Sequence, residues 1–273
     1  MAIKRVGLIV NEEKDNHIEV SRRLINFFNF HQIEVYVRPD ILKNLSEAEY
    51  AKPLILPNKD IDVLFSLGGD GTLLNAARLV SDQAIPVCGV NLGGLGFLTQ
   101  IGIYELEMYL KRILDHDFQI KDRMMLFGHI LRSEEEIGQF NCLNDIVIAK
   151  KLFARMIHLE TFINDEYVNN YAADGLVVST STGSTAYSLS AGGPIVHPSI
   201  NSMVITPICP HTLSARALVI NENDVFKIIV RSKGKDVMVT VDGQEGYDLA
   251  ENDMITIKKS KYKTQLMTFP EKS

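Results

Sequence analysis

In the first 120 residues, short apolar runs alternate with segments in which apolar residues recur every three or four positions. Runs rich in β-branched residues predict strands at 3–10, 33–37, 62–67 and 85–90. Amphipathic spacing predicts helices at 16–30, 73–80 and 104–114. Strands that alternate with helices favour a parallel sheet of the doubly wound, Rossmann-like type.

After about residue 123 the pattern changes to short β-rich runs that are separated by turn signals. These runs lie at 126–131, 145–149, 157–163, 176–180, 225–231, 237–241 and 254–257. One further helix is predicted at 185–191. The sequence therefore predicts an α/β domain over residues 1–122 and a β-rich, sandwich-like domain over 123–259. A C-terminal tail at about 260–273 is expected to return to the first domain.

The charge balance argues against a broad basic surface. The chain has 28 Lys and Arg against 34 Asp and Glu, a net charge of −6, so we expect neither nucleic acid nor a membrane as a partner. No apolar run approaches the roughly 18 residues that span a bilayer. The cysteines, Cys88, Cys142 and Cys209, are odd in number and widely spaced, which favours a reducing cytoplasm over a disulfide scaffold. The histidines lack metal-ligand spacing, so no built-in transition-metal site is predicted.

The segment Gly68-Gly69-Asp70-Gly71-Thr72 follows a strand of apolar residues and begins a helix. Consecutive glycines let another molecule approach the main chain, and amide groups at a helix N-terminus favour negative charge. The segment is therefore a candidate phosphate-binding loop, in which Asp70 could accept a proton from a hydroxyl or help hold Mg²⁺. The alternative is a tight turn in which Asp70 only caps the helix.

Two other glycine-rich segments are candidates for binding a nucleotide. Residues 91–98 follow the fourth strand, at the end where α/β sheets bind ligands, although a plain glycine-rich connection is the favoured explanation of this segment alone. Residues 174–194 join a strand to a short helix through a loop dense in hydroxyls. These hydroxyls and the ring of Tyr187 suit a nucleotide, whereas hydroxyl-bonded turns at a helix start are the alternative.

Two short polar segments have both a binding and a structural interpretation. In Asn144-Asp145, the amide could pair with an adenine edge and the carboxylate with ribose hydroxyls, or the pair could be only a turn. Asp242-Gly243-Gln244 is equally typical of a hairpin turn. The Walker A pattern, a G-x-G-x-x-G start and the G-x-S-x-G elbow of hydrolases are all absent.

Taken together, these segments resemble the NAD kinase family. The motifs, in family order, are GGDGT at 68–72, NLGGLGFL at 91–98, CLND at 142–145, DGLVVSTSTGSTAYSLSAGGPIVHPS at 174–199, TPICPHTLSARALV at 206–219 and VDGQ at 241–244. The resemblance covers nearly the whole chain. Its long central motif is highly specific, whereas GGDG alone is shared with phosphofructokinases and with lipid kinases. It implies an α/β N-terminal domain and a β-rich C-terminal domain.

The resemblance implies transfer of the γ-phosphoryl group of ATP to the 2′-hydroxyl of the adenosine ribose of NAD, which gives NADP. Polyphosphate stays open as a second donor. A divalent metal, Mg²⁺, would accompany ATP, and the expected assembly is a homodimer or homotetramer in the cytoplasm. Carried over by position, Asp70 would be the general base, beside a phosphate loop of Gly68, Gly69, Gly71 and Thr72. The implied NAD-binding residues are Asp70, Gly71, Asn144, Asp145, Arg155, Asp174, Thr185, Ala186, Tyr187, Ser188, Leu189, Ser190 and Gln244.

The chain departs from the family pattern at Gly94 and Ala172, positions where the family often has basic or larger residues. At Gly94 the departure weakens a phosphate-binding role for the side chain, and at Ala172 it puts in doubt one charged contact to the dinucleotide, though not the pocket itself. Two alternative functions remain at this point. One is a lipid kinase of the diacylglycerol or sphingosine type, which shares the GGDGT loop, and the other is a non-catalytic NAD(P)-binding regulator.

Overall fold

The computed structural model describes residues 3–14, 16–45, 50–58, 60–94, 96–151, 155–212, 214–232 and 237–272. Leu95 and Leu213, which belong to two of the motifs above, lie outside the described residues. The chain divides into two compact units. The first contains residues up to 122 together with those from 263 onward, and the second contains residues 123–262.

The first unit alternates strands and helices. Its elements are β1 (Arg5–Val10), α1 (His17–Phe30), β2 (Glu34–Val37), α2 (Pro39–Leu42), β3 (Ala51–Pro53), β4 (Val63–Gly68), α3 (Asp70–Leu79), β5 (Val87–Asn91), β6 (Ile101–Gly102) and α4 (Leu106–Leu114). A 3₁₀ turn at Ile103–Glu105 precedes α4.

A parallel sheet forms the centre of this unit, with the strands in the order β3-β2-β1-β4-β5, and β6 also pairs with β5. Strands β4 and β5 are buried along their whole length, as expected for parallel strands that are covered on both faces. Their last residues, Gly68 and Asn91, lie opposite one another. The loops that follow the two strands therefore leave the sheet at the same edge.

The C-terminal segment packs on α4 within the first unit. The fully buried ring of Phe269 lies 4.4 Å from that of Tyr109. The Tyr109 hydroxyl donates to Glu271, which also forms an ion pair with Arg112. Lys272 Nζ donates to the carbonyl of Gln100 at 2.9 Å. These contacts attach residues from 269 onward to the first unit.

The second unit is built from strands. They are β7 (Gln119–Arg132), β8 (Glu135–Cys142), β9 (Asp145–Lys150), β10 (Ile157–Ile163), β11 (Glu166–Ala173), β12 (Gly175–Thr180), β13 (Ser202–Ile208), β14 (Leu218–Asn221), β15 (Phe226–Val230), β16 (Val237–Val241), β17 (Glu245–Leu249) and β18 (Met254–Thr268). One short helix, α5 (Tyr187–Ser190), follows a 3₁₀ turn at Gly183–Thr185. Strands β7 and β18 extend past the boundaries of the unit at residues 122 and 263.

The strands of the second unit form two sheets. One has the antiparallel order β14-β13-β12-β9-β16-β17. In the other, β11, β10, β15 and β18 follow one another, β18 pairs with β7, and β7 pairs with β8. Leu126 and Leu159 from this sheet share one buried cluster with Ile148 and Leu176 from the first. Two sheets around a common apolar core make a sandwich.

The predicted fold class is confirmed, and the structure adds elements that the sequence patterns do not reveal. The helix predicted at 185–191 is shorter, because only the 3₁₀ turn and the four residues of α5 are helical. The structure also contains strands that were not predicted, namely β3, β6, β8, β11, β13, β14 and β17. Among the described residues, no helix has both the length and the apolar character that crossing a membrane requires.

Candidate functional site

The turn from β4 into α3 brings Asp70 to the edge of the parallel sheet. Gly69 precedes the helix with φ −112°, a value open to any residue. Gly68 is restricted by space instead, because a Cβ there would lie 2.1 Å from Thr72 Oγ1. Nothing lies within 4 Å of a Cβ built on Gly69. Close packing at Gly68, rather than a left-handed backbone, therefore makes glycine necessary in this turn.

The carboxylate of Asp70 is held by the loop that follows β5. Asp70 Oδ2 accepts a hydrogen bond from Phe97 N at 2.9 Å. Asp70 Oδ1 accepts three, from Leu98 N at 3.2 Å, Thr99 N at 3.0 Å and Thr99 Oγ1 at 2.9 Å. The alternative in which Asp70 only caps its own helix is therefore wrong, since its carboxylate joins two loops of the sheet edge.

Gly96 lets the loop pass close to Asp70. A Cβ on Gly96 would lie 2.1 Å from Asp70 Oδ1 and 2.7 Å from Oδ2. Gly94 shows the opposite behaviour, because a Cβ there would meet nothing within 4 Å. Residues 96–99 are therefore more than a connection, because their backbone is fitted to one carboxylate.

A second cluster forms around Asn144 and Asp145 in the second unit. The carboxylate of Asp242 accepts hydrogen bonds from three consecutive main-chain amides, Leu143 N at 3.1 Å, Asn144 N at 2.8 Å and Asp145 N at 3.2 Å. Asp242 begins the turn between β16 and β17, where its φ is +49° and that of Gly243 is +66°. The expected hairpin turn is therefore present, and its aspartate also fixes the start of β9.

The loop after β12 packs against the same segment. Thr180 Oγ1 donates to the carbonyl of Leu143 at 2.6 Å and accepts from Gly183 N at 3.0 Å. A Cβ on Gly183 would lie 2.2 Å from the carbonyl oxygen of Asn144. The glycine in the TGSTAY motif thus allows the main chains of two predicted binding segments to touch.

The two predicted polar residues of this cluster are buried and chemically unusual. Asn144 is 9% exposed, and its Oδ1 has no hydrogen-bond partner within the described part of the chain. Asp145 is 5% exposed, and burial, reinforced by the charge of Asp242, raises its pKa to about 7. Buried polar atoms without partners are rare in folded proteins, and at functional sites they are frequently satisfied by a ligand.

The segment from Asp174 to Ser190 divides into buried and exposed positions. Asp174 forms an ion pair with Lys150, with 2.6 Å between Lys150 Nζ and Asp174 Oδ1. Ser188 is fully buried, and its hydroxyl lies 2.9 Å from that of Thr206. Tyr187 and Leu189, in contrast, are exposed. The side chain of Ser188 is therefore engaged in packing, whereas those of its neighbours are open to solvent.

The remaining predicted residues lie on turns and loops. Gly71 and Thr72 are in the first turn of α3, Thr185 ends the 3₁₀ turn, and Ala186 precedes α5. Ser190, Arg155 and Gln244 are exposed, and Gln244 N closes the turn after β16 with a bond to Val241 O at 2.9 Å. Ala172 lies in β11 opposite His158.

The structure brings some predicted residues together and separates others. Asn144 and Asp145 lie beside Gly183. In the β9–β12 pair, Ser179 lies opposite Asp145 at one end and Gly175 lies opposite Ala149 at the other. Asp174 precedes Gly175 and is therefore at the end away from Asp145. Sequence reasoning missed Thr99 and the anchoring role of Asp242, because both act through contacts with residues that are distant in the sequence. The available signal was only that polar residues stand at strand ends.

The second unit also contains a cavity of about 890 Å³. Its walls include Phe127, Asn141, Glu222, Lys258 and Ser260, and none of the predicted site residues lines it. The cluster around Asn144 and Asp145 therefore lies outside the lining of this cavity.

Comparison with known proteins identifies relatives over almost the full chain. Residues 6–118 match the model of the ATP-NAD kinase N-terminal domain, and residues 143–269 match that of the ATP-NAD kinase C-terminal domain. An NAD kinase from Caldanaerobacter subterraneus subsp. tengcongensis is 43% identical over 97% of this chain and 94% of its own length. One from Moorella thermoacetica is 41% identical over 97% of this chain and 85% of its own.

Two solved structures, of an NADH kinase and of an NAD kinase, have a fold similar to that of this chain. The crystal structure of yeast NADH kinase complexed with NADH superposes with a TM-score of 0.88, at 27% identity, over 99% of this chain and 85% of that chain. An NAD kinase from Archaeoglobus fulgidus in complex with ATP shares the fold with a TM-score of 0.77, at 23% identity, over 98% of this chain and 95% of that one. On the family models and on these relatives, the chain belongs to the NAD kinase family.

Proposed function

We propose that this protein transfers the γ-phosphoryl group of ATP to the 2′-hydroxyl of the adenosine ribose of NAD, which gives NADP and ADP. Membership of the NAD kinase family supports this activity. The observation that carries the mechanism is the carboxylate of Asp70, which stands at the start of α3 and is fixed by four hydrogen bonds. The comparisons give no support to the lipid kinase or to the non-catalytic regulator.

The hydrogen bonds of Asp70 single out one oxygen as the base. A carboxylate oxygen accepts about two hydrogen bonds at its lone pairs. Among the described hydrogen bonds, Oδ1 accepts three and Oδ2 accepts one, from Phe97 N. Asp70 Oδ2 therefore takes the proton of the ribose hydroxyl, while the ribose oxygen bonds to the γ-phosphorus. The bond from that phosphorus to the β–γ bridging oxygen breaks, and ADP leaves.

The start of α3 suits the phosphates of a nucleotide. This helix is ten residues long, and its first turn contains Gly71 and Thr72. The amide groups at the N-terminus of such a helix favour negative charge. We assign Gly68, Gly69, Gly71 and Thr72 to the phosphate loop on this ground.

Asn144 and Asp145 have the features of dinucleotide-binding residues. The unpartnered Asn144 Oδ1 is an acceptor for an amino or amide N–H, of which NAD has one on adenine and one on nicotinamide. The buried carboxylate of Asp145 is an acceptor for ribose hydroxyls once it is ionised. The other binding assignments are Arg155, Asp174, Thr185, Ala186, Tyr187, Ser188, Leu189, Ser190 and Gln244, and they rest on the family motifs.

Mg²⁺ is assigned to the nucleotide substrate rather than to a resident site. The described residues contain no group of three or more His, Cys, Asp or Glu side chains that could hold a metal ion. Mg²⁺ commonly binds to substrate phosphates together with one or two carboxylates. The described residues therefore fit a metal ion that arrives with ATP. Its bound charge would neutralise the donor phosphates.

The proposal extends to location and assembly. Cys88 and Cys142 are buried and form no disulfide, as expected in a reducing cytoplasm. Ile195, Ile200 and Val219 of the second unit are more than half exposed, so apolar side chains are available to a second copy of the chain. We assign the protein to homodimers or homotetramers on the family resemblance, and light scattering after gel filtration distinguishes the two assemblies.

The activity is tested by following NADP formation from NAD with purified protein. A coupled assay with ATP and Mg²⁺ should give sustained turnover, and the same assay with polyphosphate decides whether a second donor is used. Incubation with radiolabelled ATP and diacylglycerol or sphingosine serves as the control for a lipid kinase. Binding of NAD without any NADP formation would refute the proposal.

A further inference from the structure

We propose that Thr99 and Asn91 are positioning residues that orient the Asp70 carboxylate for proton abstraction. This inference rests on the proposed function, because it takes Asp70 as the base. Thr99 Oγ1 lies 2.9 Å from Asp70 Oδ1, and Asn91 Nδ2 lies 2.7 Å from Thr99 Oγ1. The three side chains thus form a chain of hydrogen bonds within the first unit.

The direction of each hydrogen bond in this chain is fixed. An ionised carboxylate can only accept, so the Thr99 hydroxyl donates to Asp70 Oδ1. Its oxygen is then left to accept from Asn91 Nδ2. Asn91 Oδ1 accepts from Gly93 N at 2.8 Å, and this contact determines which way the Asn91 amide faces. One arrangement of protons satisfies all three bonds.

The polar side-chain atoms of Thr99 and Asn91 already have partners within the protein, unlike Asn144 Oδ1. Thr99 is 0% exposed and Asn91 is 2% exposed, so both side chains are buried as well as engaged. Their effect on the reaction therefore passes through Asp70. The register of the sheet adds to this, because Asn91 ends β5 opposite Gly68 of β4, two residues before Asp70.

Within the described part of the chain, Asp70 accepts from three main-chain amides and from one side chain, the Thr99 hydroxyl. A variant without the hydroxyl keeps the hydrogen bonds from the three main-chain amides to Asp70, and these bonds keep the loop in place. It also leaves Asn91 Nδ2 buried without its acceptor. We therefore expect the carboxylate to remain near its place but to lose its defined orientation, which lowers the rate of the chemical step.

The test compares Thr99→Val, which keeps the shape and removes the hydroxyl, with Thr99→Ser, which keeps the hydroxyl. For Thr99→Val, kcat should fall by about 10- to 100-fold, because a small misplacement of a reacting group has effects of this size. The KM values for NAD and ATP should change little. Thr99→Ser should recover most of kcat.

A matched control is Thr161→Val in the second unit. Thr161 is also fully buried, and its hydroxyl donates one hydrogen bond, to the carbonyl of Asn169 at 2.9 Å. This variant should keep the wild-type kcat, and thermal melting of all variants shows whether each is folded. If Thr99→Val does not fold, Thr99→Ala replaces it, since the smaller side chain introduces no new methyl contact.

The outcomes separate this inference from the proposed function. If the wild-type protein makes NADP and folded Thr99→Val keeps its kcat, the inference is overturned while the kinase activity stands. A rise in KM with unchanged kcat, or a Thr99→Ser variant as slow as Thr99→Val, would also overturn it. If the wild-type protein makes no NADP, it is the proposed function that has failed.

Discussion

Gly96 and Asp70 are so close that no side chain fits between them. A Cβ on Gly96 would lie 2.1 Å from Asp70 Oδ1 and 2.5 Å from its Cγ, well inside contact distance. The next residue along the chain, Phe97, donates its main-chain N–H to Asp70 Oδ2. The loop after β5 can therefore bind the carboxylate only because residue 96 has no side chain.

This contact predicts that Gly96→Ala disables the enzyme without unfolding it. The added methyl group would push the loop away from Asp70, break the amide contacts and displace the base, so we expect kcat to fall by about 100-fold. The matched control is Gly94→Ala in the same loop, where a Cβ would meet nothing within 4 Å. Steady-state kinetics on both variants measures the effect, and equal activities of the two would contradict the steric argument.

Asp70→Asn tests the base directly. We expect NAD binding to stay near the wild-type level while kcat falls by about 10²- to 10⁴-fold, the usual contribution of general-base catalysis. The amide oxygen can still accept from the donors on Oδ1, but an NH₂ group in place of Oδ2 would face Phe97 N–H, another donor. Calorimetry with NAD measures binding and a coupled assay measures kcat. Retention of most of the activity would remove Asp70 from the role of base.

The elements that the sequence predicts are those in which buried apolar residues follow one another along the chain. Strands β4 and β5 are apolar and buried throughout, so local pattern is sufficient to find them. Strand β8 is different, because most of its residues are polar or exposed and it pairs with β7 at the edge of its sheet. Strand β13 was missed although it is buried, because Pro207 interrupts its pattern. Whether such a segment forms a strand depends on its pairing with other strands, which is a tertiary contact.

The candidate site shows the same division. Asp70, Asn144 and Asp145 stand in motifs that a reader of the sequence can recognise, and the family resemblance gives them roles. Thr99 stands in none of the quoted motifs, and Asp242 stands in VDGQ, whose local pattern indicates only a hairpin turn. Asp242 acts on amides 97 to 99 positions away in the chain, and Thr99 acts on a carboxylate 29 positions away. Contacts at such separations are created by the fold.

Removal of divalent metal should stop turnover without lowering the thermal stability of the nucleotide-free protein. The described residues provide no cluster of three or more metal-ligating side chains, so the ion is expected to arrive with ATP. Excess EDTA should therefore abolish NADP formation, and added Mg²⁺ should restore it. The melting temperature of the protein without nucleotide should be the same with and without EDTA. A clear drop in that temperature would reveal a resident structural metal.

The raised pKa of Asp145 has a consequence for stability that can be worked out with its sign. In the folded protein, burial and the charge of Asp242 raise the pKa of this carboxyl from its ordinary 3.8 to about 7. Between these two pH values the folded state holds a proton that the unfolded state has released. Because the folded state binds more protons there, the contribution of this group to stability falls as pH rises from about 4 to about 7. Above that range the buried charge is present in full, near Asp242.

Asp145→Asn should therefore stabilise the protein at high pH and weaken its binding of NAD. The amide has nearly the same shape and carries no charge, so the free energy of unfolding at pH 8 should rise by a few kcal/mol at most, with little gain at pH 5. Urea unfolding at both pH values measures this difference. NAD binding should weaken at pH 8, where the wild-type carboxylate is ionised and accepts from ribose hydroxyls. A folded variant with wild-type affinity and no pH-dependent gain in stability would show that Asp145 is neither strained by burial nor part of the dinucleotide site.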